Sequence, residues 1–252
     1  MWETLHASMA HWYRLIGAGS EGAHTIERDG VVAALVPASS QRSVVNAVVY
    51  EHHEGLAAAY DEIAAAYADF GAKWTVWVHT GDTDTAALLA GKGHVLDASP
   101  EAMAADLEAT PPARPSPAAL TGWTAQGDLA DVGAINDRAY GFGGDWFSRA
   151  LTDLPDGEVH LYVVHQDGEA VGCCSTTDVG TNTELDMVAV VSEARGQGLS
   201  GKLIAHALAD AAERGCRTST LVATPLGRPV YERLGFRGLG VLEMWERRPE
   251  QG

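Results

Sequence analysis

The chain has 252 residues, enough for two ordinary domains, and its 46% hydrophobic and 20% charged content belongs to a folded protein rather than a disordered one. Thirty-four acidic against seventeen basic side chains set a formal charge of −17, whose field repels the nucleic acid backbone and anionic membrane surfaces. A cationic amine is drawn in by the same field, although an acidic surface also serves solubility alone.

The first residues carry no basic stretch ahead of an apolar core, and no run approaches the roughly 20 apolar residues that span a bilayer. Cys173, Cys174 and Cys216 are too few and too irregular for a disulfide framework or a zinc site, which fits a reducing cytoplasm. A cytoplasmic protein without nucleic acid or membrane partners is expected, and a homodimer is compatible with that reading.

In the first half the pattern predicts a strand over 43–50, a helix over 56–70, a strand over 74–79 and a helix over 85–90, followed by Gly91-Lys92-Gly93-His94. The long helix is well marked, because Leu56, Tyr60, Ile63, Tyr67 and Phe70 fall on one face. Trp74 and Trp77 fall on opposite strand faces, so at least one belongs to a core or an interface. Four prolines between Thr110 and Pro117 deny helix and sheet bonding, which divides the chain into 1–110, a spacer over 111–117, and 118–252.

The second half opens on a short strand at 122–124 and a helix from Asp128 through Val132, Ile135 and Ala139, with a further helical stretch over 145–154. Strands over 160–165 and 170–177 are joined by Gln166-Asp167-Gly168-Glu169, in which Asp-Gly is a hairpin turn signal, and 183–191 is a third strand. A helix over 202–214 places Leu203, Ile204, Ala207, Leu208 and Ala211 on one stripe and stops at Gly215. A strand over 218–223, a short helix over 229–234 and an exit at Gly235-Phe236 into a closing hairpin complete the order. This alternation predicts an α/β fold with a mixed, mostly antiparallel sheet flanked by helices. A shift of roughly 142 residues lays Gly93-His94 on Gly235-Phe236, so the first half reads as a weaker copy of the second.

Between strand and helix stands Arg195-Gly196-Gln197-Gly198-Leu199-Ser200-Gly201, a turn able to present several backbone N–H groups to an anion at a helix N-terminus. As a Walker loop it fails, because Leu203 stands where the magnesium-binding Ser or Thr is required. As a dinucleotide fingerprint it has the letters, yet it comes late in its domain and after an antiparallel hairpin.

The second half resembles the GCN5-related N-acetyltransferase (GNAT) superfamily, whose signature is Q/R-x-x-G-x-G/A. Arg195, Gly198 and Ser200 occupy the three fixed positions, with serine replacing the last Gly/Ala. Downstream, Tyr231-Glu232-Arg233-Leu234-Gly235-Phe236 is similar to the family's Y-x-x-x-G-F segment. The resemblance implies two tandem GNAT-like domains. It also implies acetyl-CoA as acyl donor, its pyrophosphate held by amides of Gly196, Gln197, Gly198, Leu199, Ser200 and Gly201. The pantetheine arm is implied to pair with the strand carrying Val188, Ala189 and Val190. The family often has asparagine seven residues before the tyrosine; here it is Thr224, which weakens that cofactor contact.

Acyl transfer to an amine needs a neutral amine, a stabilised oxyanion and protonation of the departing thiolate. Tyr231 sits at the family's general-acid position. Glu184, eleven residues before Arg195, resembles the position of the family's glutamate base, and Asp186 shares its strand face. The pair could accept the amine proton or hold a cationic substrate, or be a solvated face. Cys173 and Cys174 read as buried strand cysteines rather than nucleophiles, and no metal is required. His160, His165 and His206 receive no role. The first half's counterpart of the glycine turn, Glu51-His52-His53-Glu54-Gly55, is acidic and should not bind CoA. Adjacent residues on one turn also rarely converge on a metal. That half is expected to help shape the acceptor pocket. The activity expected is N-acetyl transfer to a primary amine by direct attack in a ternary complex; the alternative is a non-catalytic acyl-CoA sensor.

Overall fold

The computed structural model describes residues 1–115, 123–124, 127–141, 143–155 and 157–249. In chain order these form α1 (Trp2–Ile16), β1 (His24–Arg28), β2 (Val31–Leu35), β3 (Ala47–Tyr50), α2 (His53–Ala68), β4 (Trp74–His79), α3 (Thr83–Gly91), β5 (Val95–Ala98) and β6 (Glu101–Asp106). The second half contributes β7 (Trp123–Thr124), α4 (Leu129–Tyr140), α5 (Trp146–Ala150), β8 (Val159–Gln166), β9 (Glu169–Val179), β10 (Asn182–Val190), α6 (Leu199–Arg214), β11 (Thr218–Ala223), α7 (Arg228–Arg233) and β12 (Arg237–Arg247).

Most expected elements appear with shifted ends. The strand expected over 43–50 is confined to β3, and the helix over 145–154 shortens to α5, whose Asp145 makes no capping bond. Residues 116–117 of the proline-rich spacer and Gly122 lie outside the described residues; 111–115 carry no regular structure. Both halves follow one order: an antiparallel hairpin turned at Asp29-Gly30 or Asp167-Gly168, a third strand, a helix, a strand parallel to the third, and a helix.

The closing hairpin does not form. A register shift falls between Gly238 and Gly240, and β12 runs on from Gly235-Phe236 as one strand of 11 residues. Its first part, Arg237 to Val241, pairs with β6 of the first half, while Leu242 to Arg247 pair with β4. Strand β5 pairs with β12, and Pro100 then interrupts the ladder so that β6 crosses to lie against β11. Each half therefore lends a strand to the other. The sheet reads β1-β2-β3-β4-β12-β6-β11-β10-β9-β8-β7, with β5 beside β12 off that path.

Three cores follow from the apolar periodicity. One lies between β8–β11 and helices α4 and α6. A second packs α2 onto β2–β4 and includes Trp74. The third is built by α1, whose Leu5, Met9, Trp12 and Ile16 form a stripe that meets Phe147, Leu151 and Leu154 of the second half; Trp77 joins it. Trp74 and Trp77 thus do face opposite ways, and both are core.

Candidate active site

Strand β10 positions the site by breaking its own pairing. It runs parallel to β11 only from Asn182↔Thr218 to Glu184↔Thr220, and against β9 its register slips between Asp186 and Ala189. Met187 takes a φ of +51° at this slip, a costly conformation for a non-glycine residue that surrounding bonds must hold. Its carbonyl accepts from Asn136 Nδ2 at 3.4 Å and from Cys173 Sγ at 3.2 Å, and Asn136 is itself fixed by donating to Val132 O at 2.9 Å. Burial pushes the Cys173 thiol up to about 12, so it serves as a donor and not as a thiolate nucleophile. Val188 and Val190 are half-buried and Ala189 is buried at the end of this strand.

The glycine turn follows. Gly196 and Gly198 take φ of +79° and +72°, and a Cβ built on Gly196, Gly198 or Gly201 would meet nothing within 4 Å. Leu199 begins α6, so the first amides of a 16-residue helix open toward this space. The cradle has the form a diphosphate needs: no side chain in the way, and the positive end of a helix behind it. Arg195 acts as a fastener, its Nε donating to Val190 O at 3.0 Å and an Nη to Ala139 O at 2.9 Å, which ties the end of β10 to the end of α4. Gln197 Oε1 accepts from Gln166 Nε2 at 2.8 Å. Beside the turn lies a pocket of about 340 Å³ lined by Gly198, Ser200, Gly201, Lys202, Val230 and Arg233, among others. Lys202 and Arg233 bring positive charge that the motif reading did not mark.

The first half's counterpart is filled by its own chain. His52 Nδ1 accepts from Gly55 N at 3.0 Å and caps α2. A Cβ on Gly55 would come within 2.4 Å of Asp29 O and 2.7 Å of the imidazole. Among the described residues no three His, Cys, Asp or Glu side chains gather where they could hold a metal.

Tyr231, on α7, is 8% exposed and meets Phe236 edge-on with ring centroids 5.9 Å apart. Burial raises its phenol well above the usual value, and the neighbouring Tyr140, Cys174 and Asp186 add to the effect. Thr224 Oγ1 accepts from Gly227 N at 3.2 Å, which occupies the hydroxyl in its own turn. Glu184 is 2% exposed and Asp186 half-buried; Glu184 Oε2 and Asp186 Oδ2 have no hydrogen-bond partner among the described residues. Desolvation raises both carboxyls, and the charge of Asp186 pushes Glu184 further. Glu184 is therefore enclosed, while Asp186 keeps part of its surface exposed.

The wall opposite these carboxyls comes from α1. Tyr13 accepts from Trp77 Nε1 at 2.6 Å and donates to Val44 O at 3.2 Å, and its phenol is raised by burial and by the charges of Asp186 and Glu184. The charge of Asp186 thus adds to the raised phenols of both Tyr231 and Tyr13. Tyr13 and Asn136 had no local motif to mark them; the apolar stripe of α1 was a signal for Tyr13 alone.

Residues 157–238 match a family model described as acetyltransferase (GNAT) domain. A search of the curated proteins found no match. Among solved structures, a GCN5-related N-acetyltransferase from Kribbella flavida superposes with a TM-score of 0.64 at 18% identity, covering 98% of this chain and 96% of that one. An acetyltransferase of the GNAT family from Novosphingobium aromaticivorans gives 0.58 at 17% identity, covering 98% and 99%. A tandem GNAT protein from the clavulanic acid biosynthesis pathway gives 0.56 at 15% identity, covering 99% and 96%. The fold is that of these structures, with a mixed sheet flanked by helices, and the matched domain supports acyl transfer as the class of chemistry.

Proposed function

We propose that this protein, whose residues 157–238 carry a GNAT domain, is an acetyl-CoA-dependent N-acetyltransferase acting on a primary amine in a ternary complex, in the cytoplasm. The observation that carries the reading is the juxtaposition of an open glycine cradle with a bulged strand that bears the carboxyl pair Glu184 and Asp186. Acetyl-CoA would supply the acyl group as an activated thioester. Amides of residues 196–201 would hold its diphosphate, and the stretch Val188–Ala189–Val190 would offer backbone groups to the pantetheine arm.

Desolvation raises the carboxyls of Glu184 and Asp186, and the charge of Asp186 pushes Glu184 further, so the pair is suited to take the proton an incoming ammonium must lose. Tyr231 is kept protonated by burial and is suited to give its proton to the departing sulfur. In this reading residues 1–110 are a degenerate copy of 118–252, joined by 111–117, with one cofactor site per chain. The copy's α1 walls the acceptor side.

The test is release of CoA thiol from acetyl-CoA in the presence of a panel of primary amines. Release that depends on the amine supports the reading. Tight acetyl-CoA binding with no turnover on any amine would replace it with a sensor.

A further inference from the structure

A polar column runs along the face of β10 that α1 covers, and its two ends differ. At the lower end every group is bonded. Asn182 donates to Ser8 Oγ of α1 at 3.0 Å and to Thr220 Oγ1 at 2.8 Å, and accepts from Thr218 Oγ1 at 2.8 Å. Two and four residues further on, the same face presents Glu184 and Asp186.

The register with β9 sets Glu184 directly opposite Thr177 and Asp186 directly opposite Ser175, so these four side chains share one face as a two-by-two patch. Thr177 and Ser175 are 0% exposed. Glu184 Oε2, Asp186 Oδ2, Thr177 Oγ1 and Ser175 Oγ are all buried atoms without a hydrogen-bond partner among the described residues. Burying four such groups together is costly unless something completes them, and the contrast with Asn182 shows that this face can satisfy its polar groups where nothing else is needed. The patch abuts the bulge at Met187 and the place where β10 and β11 part.

We infer that this patch is the acceptor subsite and that it selects an amino alcohol: the carboxyls of Glu184 and Asp186 take the ammonium, and the hydroxyls of Thr177 and Ser175 take the hydroxyl of the same ligand. Cross-strand neighbours on one face have Cβ atoms about 5 Å apart, so one small ligand can meet a carboxyl and a hydroxyl together. A site built to bond a hydroxyl discriminates strongly against an analogue that lacks it, because its own buried groups are then left unpaired. Thr177 and Ser175 are thus specificity-determining residues. The inference rests on the acetyltransferase reading for its placement beside the donor, but ammonium binding can be measured without turnover.

The experiment titrates the full chain calorimetrically, with CoA present, against ethanolamine and against propylamine, which replaces the hydroxyl with a methyl group. Wild type should favour ethanolamine by about tenfold or more. Thr177→Val, of nearly the same shape, should bring the two within about twofold, as should Ser175→Ala, with thermal unfolding confirming that each variant is folded. Equal binding of the two amines by wild type, or a preference that survives in both variants, would overturn the inference. Glucosamine as a third arm separates sources: tighter binding than ethanolamine marks an amino sugar, weaker binding a free amino alcohol, and either supports the amino alcohol assignment. Preference without acetyl transfer would sustain the inference and sink the enzyme reading. Transfer without preference would do the reverse.

Discussion

Replacing Gly198 by Asp puts a carboxylate into the cradle without a clash, since a Cβ there would meet nothing within 4 Å. The cost to the fold is confined to the backbone: a non-glycine residue at φ +72° costs about 1–2 kcal/mol, and a carboxylate at a helix N-terminus returns about 0.3–1 kcal/mol. The protein should therefore stay folded. Against a bound diphosphate the same carboxylate stands at close range. Two like charges about 4 Å apart at an effective dielectric of about 20 repel by about 4 kcal/mol, roughly a thousandfold in affinity. Gly198→Asn is the control, because it has the same backbone cost and no charge. Calorimetric titration with acetyl-CoA should show Asn binding within about tenfold of wild type and Asp near the limit of detection. Equal affinity in the Asp and Asn variants would refute the assignment of residues 196–201 to a diphosphate.

The carboxyl pair makes stability and activity run opposite ways with pH. Both folded-state pKa values are raised, so the stability they allow is present in full below their unfolded values and is lost as pH rises through the folded ones. Thermal unfolding temperature should fall from mildly acidic to alkaline pH while kcat/KM climbs, and Glu184→Gln should flatten both curves. Tyr231→Phe should lower kcat by about 100- to 10,000-fold with acetyl-CoA affinity little changed; loss of affinity instead would mark Tyr231 as a packing residue. Residues 118–252 produced alone lack β6 and should give no cooperative unfolding transition, whereas co-expression with residues 1–117 should restore one; a well-folded isolated half would contradict the strand exchange.

The cradle was legible in the sequence because its chemistry is local. Gly196, Gly198 and the start of α6 are consecutive, and the spacing that permits positive φ is itself the motif. The strand carrying Glu184 and Asp186 was legible for the same reason, and period two put both carboxyls on one face. What sits opposite them was not. Ser8 and Asn182 bond across 174 residues, and Tyr13 reaches the pair only because α1 packs on the second half's sheet. The destination of β12 was hidden too. Gly238 and Gly240 carry the letters of a turn, and only the arrival of β4 on one side and β5 and β6 on the other keeps the strand extended. Periodicity reports which face of an element is apolar; it does not report which distant element will cover it.

The exchanged strands also set an order of events during synthesis. Strands β4 and β5 leave the ribosome long before the strand that lies between them, so the first half must wait with an open groove in its sheet until residues 237–247 have been made. Exposed strand edges of that kind invite pairing with other chains. The nascent first half is therefore the stage at which this protein is most open to misassembly, and a chaperone's protection would matter most there.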